Sequence, residues 1–334
     1  MISTTSTTPA DWQQEMSRAV RDPAELIDRL DLPADLVEPA RRAAKLFPLR
    51  VPESYLRRMQ PGDPSDPLLR QVLPLDSEFD ETPEYQTDPL QEADSHLADG
   101  LLQKYPGRAL MIATGHCAVH CRYCFRRHYP YNEEPKETSA WDPAIAAIAA
   151  DHSLREILLS GGDPLMLADR KLKTLTDRLE QIPHLSRLRI HTRLPIVLPS
   201  RVTDAFIGWL RGLRLTSIIV VHANHPQEIQ DDCADALRHL VRSGIPVLNQ
   251  SVLLRSINDD VETLTELSER LTNLGVIPYY LHQTDRVSGT AHFAVSEATG
   301  RELIAEMRRR LPGYAVPTFV QEVPGEMHKT PLAL

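Results

Sequence analysis

Thr114-Gly-His-Cys-Ala-Val-His-Cys-Arg-Tyr-Cys-Phe-Arg-Arg-His128 holds three of the four cysteines of this 334-residue chain, Cys117, Cys121 and Cys124. Their spacing is C-x3-C-x2-C, on a loop that follows the apolar run 108–113. Three thiolates this close suit an iron–sulfur cube. A 4Fe-4S cluster has four corners, so three protein ligands leave one iron open to bind something else. The competing reading is a zinc site that recruits His116, His120 or His128 as a fourth ligand. Cysteines packed only for bulk would not arrive in this register, and the loop is read as an iron–sulfur site with one open position.

Outward from this loop the chain is periodic. Short apolar or β-branched runs at 108–113, 156–160, 187–192, 216–222, 246–252 and 277–282 alternate with amphipathic patterns. The latter predict helices near 142–150, 169–181, 202–212, 226–243, 261–274 and 296–310. Such alternation implies right-handed βαβ crossovers and a parallel sheet. Six units fall short of the eight of a closed barrel, so the predicted fold is α/β, a partial open (β/α)6 barrel. Polar residues collect where the strands end: Ser160-Gly-Gly-Asp163, His191-Thr-Arg193, His222-Ala-Asn-His225, Asn249-Gln-Ser251 and His282 through Asp285. With the cysteine loop, they suggest one shared cavity at the carboxyl edge of the sheet. Gly161 and Gly162 let the backbone approach a ligand closely, or else make a tight strand-to-helix turn.

The flanks read differently. Residues 1–9 are expected to be a disordered tail, and 10–100 a helical and irregular extension. Helical patterns run from Pro9 to about Ala44, with breaks at Asp22-Pro23 and Leu32-Pro33. Residues 48–100 are rich in proline and acid, and the Asp-Pro-Leu triplets at 66–68 and 88–90 read as helix starts. The core is assigned to 101–312 and a carboxyl-terminal segment to 313–334. A net charge of −9 and a pI near 5.8 disfavour a nucleic-acid partner. The chain has no run of eighteen apolar residues and no signal-peptide pattern at its start, so no membrane association is expected. Clustered cysteines argue against a disulfide framework and for a reducing cytoplasm. Cys233, on the helical pattern 226–243, is expected to be a small packed residue.

The cysteine motif, with an aromatic residue before its last cysteine, resembles the radical S-adenosylmethionine superfamily. That resemblance implies that the open iron binds S-adenosylmethionine and that reductive cleavage yields a 5′-deoxyadenosyl radical. It also implies that the glycine-rich turn Ser160, Gly161, Gly162, Asp163 holds the methionyl amino group. A more specific resemblance rests on Tyr105-Pro-Gly-Arg108, Cys124-Phe-Arg126, Leu159-Ser-Gly-Gly-Asp163, Asn224-His-Pro226, Asn249-Gln-Ser-Val-Leu-Leu-Arg255, Pro278-Tyr-Tyr280 and the segment 313–334. Together these resemble the lysine 2,3-aminomutases, from about residue 48 to the end. Among them the chain is most similar to the short bacterial branch that supplies β-lysine for modification of elongation factor P.

This resemblance implies roles residue by residue. Lys329 would form the Schiff base with pyridoxal 5′-phosphate, whose phosphate Tyr105 and Arg108 would hold. Arg126 would pair with the substrate carboxylate, and Asp285 with Glu322 would bind the distal ammonium of lysine. Glu322 stands where the family often has aspartate, and His282 where longer relatives have a tyrosine against the pyridine ring. Gln250 would contact S-adenosylmethionine. Gly325-Glu-Met-His328 replaces a run of glycines. An electron donor of flavodoxin or ferredoxin type is implied for the cluster. Two other readings stand beside this one, a glutamate 2,3-aminomutase and a non-catalytic iron–sulfur protein. The acids Asp285 and Glu322 disfavour the first, and Lys329 with Arg126 would be idle in the second.

Overall fold

The computed structural model describes residues 11–131, 134 and 138–333. The tail expected at 1–9 lies outside them. Helices α1 (Asp11–Ser17), α2 (Pro23–Arg29), α3 (Val37–Ala44), α4 (Glu53–Leu56) and α5 (Pro67–Arg70) form the amino-terminal extension. Both predicted breaks occur. Asp22 caps α2 by accepting from the Ala24 N–H at 3.0 Å, with Pro23 as the first helical residue. Asp66 caps α5 likewise, accepting from the amides of Leu68 and Leu69. Asp88 behaves differently from the expected helix start. Its carboxylate accepts from the amides of Glu92 and Ala93, so the turn it caps begins at Glu92 rather than Pro89.

Among the described residues ten strands make one sheet in sequence order: β1 (His96–Ala98), β2 (Leu101–Tyr105), β3 (Arg108–Thr114), β4 (Glu156–Gly161), β5 (Arg187–Thr192), β6 (Thr216–His222), β7 (Val247–Val252), β8 (Ile277–His282), β9 (Thr318–Gln321) and β10 (Thr330–Pro331). Strands β3 to β9 are parallel, and antiparallel strands flank them at both ends. Between them run α6 (Asp142–Ala150), α7 (Asp169–Glu180), the single turn α8 (Leu194–Val197), α9 (Asp204–Gly212), α10 (Asp231–Arg242), α11 (Val261–Asn273) and α12 (Glu297–Arg310). The six predicted βα units are therefore present, and the sheet is open. The sequence reading missed β1, β2, β9 and β10, which are short and are not followed by a helix of their own to mark them.

Alternation along the strands explains the shape. Ala109, Met111, Ile157, Leu159, Leu188, Ile190, Ile219, Val221 and Val247 are fully buried beneath the helices. Their neighbours of opposite parity, including Arg108, Leu158, Ser160, Arg189, His191, His222, Gln250, Tyr280 and His282, line a cavity of about 670 Å³ inside the curve of the sheet. A closed eight-stranded barrel would fill this space with branched side chains. Here arginines, histidines and a glutamine stand among the apolar residues of the inward row, and the curve encloses a site. The two margins of the sheet meet across it: Lys104 on β2 reaches Glu322, just after β9, at 2.8 Å. The extension packs on the outside, with Trp12, Leu26, Tyr55, Leu68 and Leu69 in the same apolar core as the strands and helices of the barrel.

Candidate active site

The residues expected to bind the cluster, a cofactor or the substrate all line this cavity. Cys117, Cys121 and Cys124 enter from the loop after β3, and Ser160 through Asp163 from the end of β4. Gln250 comes from β7, Asp285 from beyond β8, and Tyr105 with Arg108 from the β2–β3 turn. Arg126 follows the cysteines, and Glu322 and Lys329 belong to the carboxyl-terminal segment.

The histidines near the cysteines are engaged elsewhere. His120 places Nδ1 2.8 Å from the Pro48 carbonyl and stacks on Phe47, while His128 Nε2 lies 3.0 Å from the Ser288 carbonyl. Among the described residues no three His, Cys, Asp or Glu side chains converge tightly enough for a single ion. Burial pushes the Cys117 thiol up and the Cys124 thiol to about 11, and the neighbouring cysteines add to both shifts. Such thiols ionise when a metal binds them. The buried Arg193 guanidinium donates to Cys121 Sγ at 2.7 Å and to Glu228 at 2.8 Å, a positive charge suited to an anionic thiolate cluster.

The glycine turn forms a cradle. Gly161 sits at φ +106°, and a Cβ on Gly162 would come within 2.5 Å of the His116 carbonyl oxygen. Bare backbone is thus forced where the turn passes the cysteine loop. Asp163 faces the cavity edge, but the protein itself uses its carboxylate. That group accepts from Thr192 Oγ1 at 2.7 Å and from the amides of Arg193 and Leu165. Its part is to hold the turn. Two other predicted polar ends divide by strand parity. Gln250 points inward, whereas Asn249 and Ser251 bond to the Ala223 backbone. Asn224 is likewise a buried brace, donating to Tyr123 and Gln71.

Across the cavity runs an unbroken chain of charges. Lys329 Nζ donates to Glu322, Glu322 also accepts from Lys104, Lys104 lies 3.2 Å from Glu92, and Glu92 accepts two bonds from Arg126. Burial alone would raise the Glu322 carboxyl, but Lys329 and Lys104 outweigh it and hold it at about 2. Lys329 and Lys104 also act on Asp285, but there they do not prevail. Burial, then repulsion from Glu322, pushes its carboxyl up to about 7. Sequence reasoning missed Glu92 and Lys104. An acid in a loop and a lysine on an unrecognised strand both read as solvated charges.

Deeper in the cavity the buried Tyr105 hydroxyl faces the Glu322 carboxylate, and Arg108 stacks over its ring at 4.6 Å. Nε2 of His191, His222 and His282 is buried with no hydrogen-bond partner among the described residues. Burial holds all three imidazoles down, to about 3 for His222, so they are neutral at physiological pH. A cavity that offers three thiols at one end and buried hydroxyl and imidazole groups, an arginine and a lysine at the other can hold a cluster and an anionic polar ligand.

Residues 111–267 match the radical SAM superfamily. Among solved structures, Streptococcus suis SuiB superposes with a TM-score of 0.50 at 15% identity, over 66% of this chain and 50% of its own. Fold and cysteine site thus define a radical SAM protein, a class that implies a 4Fe-4S cluster and S-adenosylmethionine. Within it, the L-lysine 2,3-aminomutase of Escherichia coli (strain K12) is 47% identical over 97% of this chain and 95% of its own length. That of Haemophilus influenzae is 44% identical over 96% and 94%. The chain belongs to the L-lysine 2,3-aminomutase family and is an isomerase. It matches these two nearly end to end, but spans only 77% of the Clostridium subterminale enzyme, at 34% identity, and so stands with the shorter members.

Proposed function

We propose that this protein converts L-α-lysine into β-lysine, moving the amino group from C2 to C3 and a hydrogen from C3 to C2. The observation that carries this reading is the cavity itself. It joins the three-thiol loop, Lys329, Arg126 and the acids Asp285 and Glu322 in one volume. Lysine 2,3-aminomutases at 42–47% identity support the same reading. The reaction requires a hydrogen to leave an unactivated carbon, which no side-chain base can achieve at neutral pH. When bound, the cluster with S-adenosylmethionine supplies a carbon radical for that step, and pyridoxal phosphate supplies a conjugated carbonyl carbon for the migrating amine.

The protein's own residues do the rest. Lys329 offers the amine that would anchor the pyridoxal aldehyde, while Tyr105 and Arg108 meet its phosphate with a hydroxyl and a guanidinium. Arg126 takes the substrate carboxylate, and Asp285 with Glu322 takes the distal ammonium, which fixes C3 within reach of the radical. Ser160, Gly161, Gly162 and Gln250 bound the space for S-adenosylmethionine, and Asp163 braces that turn. We further propose a reducing cytoplasmic setting, a one-electron donor of flavodoxin or ferredoxin type, and use of the product for modification of elongation factor P.

Anaerobic incubation with lysine, S-adenosylmethionine and a reductant, followed by chiral analysis, tests the proposal. Wild type should form β-lysine. Lys329→Ala should lose both β-lysine formation and the visible absorbance of lysine-bound pyridoxal phosphate, yet still cleave S-adenosylmethionine slowly. Undiminished β-lysine formation by Lys329→Ala would overturn the assignment, as would conversion of glutamate in preference to lysine by wild type.

A further inference from the structure

Glu92 opens the turn before β1 and is 4% exposed. Asp88 fixes its backbone, accepting from the Glu92 N–H at 3.0 Å and the Ala93 N–H at 3.2 Å. The Glu92 carboxylate lies side-on to Arg126: Oε2 accepts from Nε at 2.7 Å and Oε1 from Nη2 at 2.8 Å. Lys104 adds a second cation 3.2 Å from Oε1. A guanidinium has five N–H donors in one plane. With the Nε–Nη2 edge taken, the end made by Nη1 and the second Nη2 hydrogen is left, and its contact there is Ser160 Oγ at 3.4 Å from Nη1. Arg126 and Ser160 both line the cavity.

The charges are as constrained as the geometry. Arg126 and Lys104 bring two positive charges to this end, Glu92 brings one negative charge, and Glu322 shares Lys104 at 2.8 Å, so at most one positive charge remains to be met. Without Glu92 the guanidinium would lose its hold on one edge, and the surplus would attract a second carboxylate.

We propose that Glu92 is the positioning residue of the substrate-carboxylate subsite: it turns Arg126 end-on to the cavity and limits that end to one net positive charge, so that the site takes amino acids with a single carboxylate. The inference rests on the reading that Arg126 meets the substrate carboxylate. Glu92 acts through Arg126 and touches no reacting atom. The same arrangement gives a reason for excluding glutamate that adds to the acids at the ammonium end.

The test uses the full-length, iron-loaded protein with Glu92→Gln, Glu92→Asp and Arg126→Lys. Losing the charge of one buried, charge-assisted contact should cost roughly tenfold in binding. Glu92→Gln should therefore raise the lysine KM about tenfold with a smaller change in kcat, and should strengthen inhibition by glutamate relative to wild type. Iron content and lysine-independent cleavage of S-adenosylmethionine should not change. Glu92→Asp restores the charge on a shorter arm. It should keep glutamate excluded while raising the lysine KM, and it carries the test alone if Glu92→Gln fails to load iron. Arg126→Lys separates the two readings. If it leaves the lysine KM unchanged, the carboxylate assignment of Arg126 itself is wrong. If it raises KM while Glu92→Gln and Glu92→Asp alter neither the lysine KM nor glutamate inhibition, Arg126 keeps its role and the inference about Glu92 fails.

Discussion

Replacing Glu78 by glutamine should loosen the cysteine loop from the amino-terminal extension at a measurable cost in stability. Glu78 lies in the turn Asp76–Phe79 with its side chain fully covered. It accepts from Arg122 Nε at 2.7 Å, from Arg122 Nη2 and from Arg127 Nη2. Arg122 also donates to the Phe47 carbonyl at 2.7 Å. Arg122 immediately follows Cys121, and Arg127 is three residues past Cys124, so one carboxylate fastens the loop on both sides of its last cysteine. Glutamine keeps the shape and removes the charge, which leaves two buried guanidinium groups around a neutral amide. Breaking a buried pair in this way costs ~3–5 kcal/mol, whereas an exposed pair is worth ~0–1 kcal/mol. With a urea slope of roughly 3 kcal/mol per molar, the unfolding midpoint should fall by about 1–1.7 M. The assay is urea denaturation of the metal-free protein followed by circular dichroism. Asp235→Asn, which breaks the exposed pair with Arg238, is the reference and should shift the midpoint by no more than about 0.3 M. A Glu78→Gln midpoint no lower than that of the reference would refute the reasoning.

Two further outcomes are expected. Cys117→Ala, Cys121→Ala and Cys124→Ala should each lose cluster iron and turnover, because two thiolates hold a cube poorly; Cys233→Ala, on the buried face of α10, should keep iron and rate close to wild type, as iron analysis beside activity will report. For Asp285 the sign follows from its raised value of about 7. Between ~4 and 7 the folded protein retains a proton that the unfolded chain has lost, so this carboxyl lowers stability as pH rises through that window. A cation bound beside it favours the ionised form. The lysine KM should therefore fall as pH rises across neutrality. Asp285→Asn should abolish that slope and raise KM by roughly thirtyfold or more, and a slope that survives in the variant removes Asp285 from the site.

Most of the fold was legible because its signals are local. Alternating apolar and amphipathic runs, each confined to a dozen residues or so, predicted all six βα units, and the bounds of β5, β6 and β8 agree residue for residue. The cysteine loop was equally legible, since its three ligands lie on one short stretch. The same periodicity also fixed which face of each strand is inward, although the sequence reading grouped Asn249 and Ser251 with Gln250 when only Gln250 could face the cavity.

What the sequence could not specify is who meets whom across the sheet. Glu92 and Arg126 are 34 residues apart, and Lys104 and Glu322 are 218 apart. Nothing in the spacing of a loop acid or a strand lysine marks it as buried and paired. Those pairs exist because the open sheet curves until its two margins face each other, and because the extension carries Glu78 and Glu92 onto the cysteine loop. Charges that would be solvated in a flat arrangement are thereby taken out of water, and once buried they must find partners. The local sequence therefore set the strands, the helices and the cysteine loop. The curvature of the sheet decided the charge relay that gives the cavity its two ends.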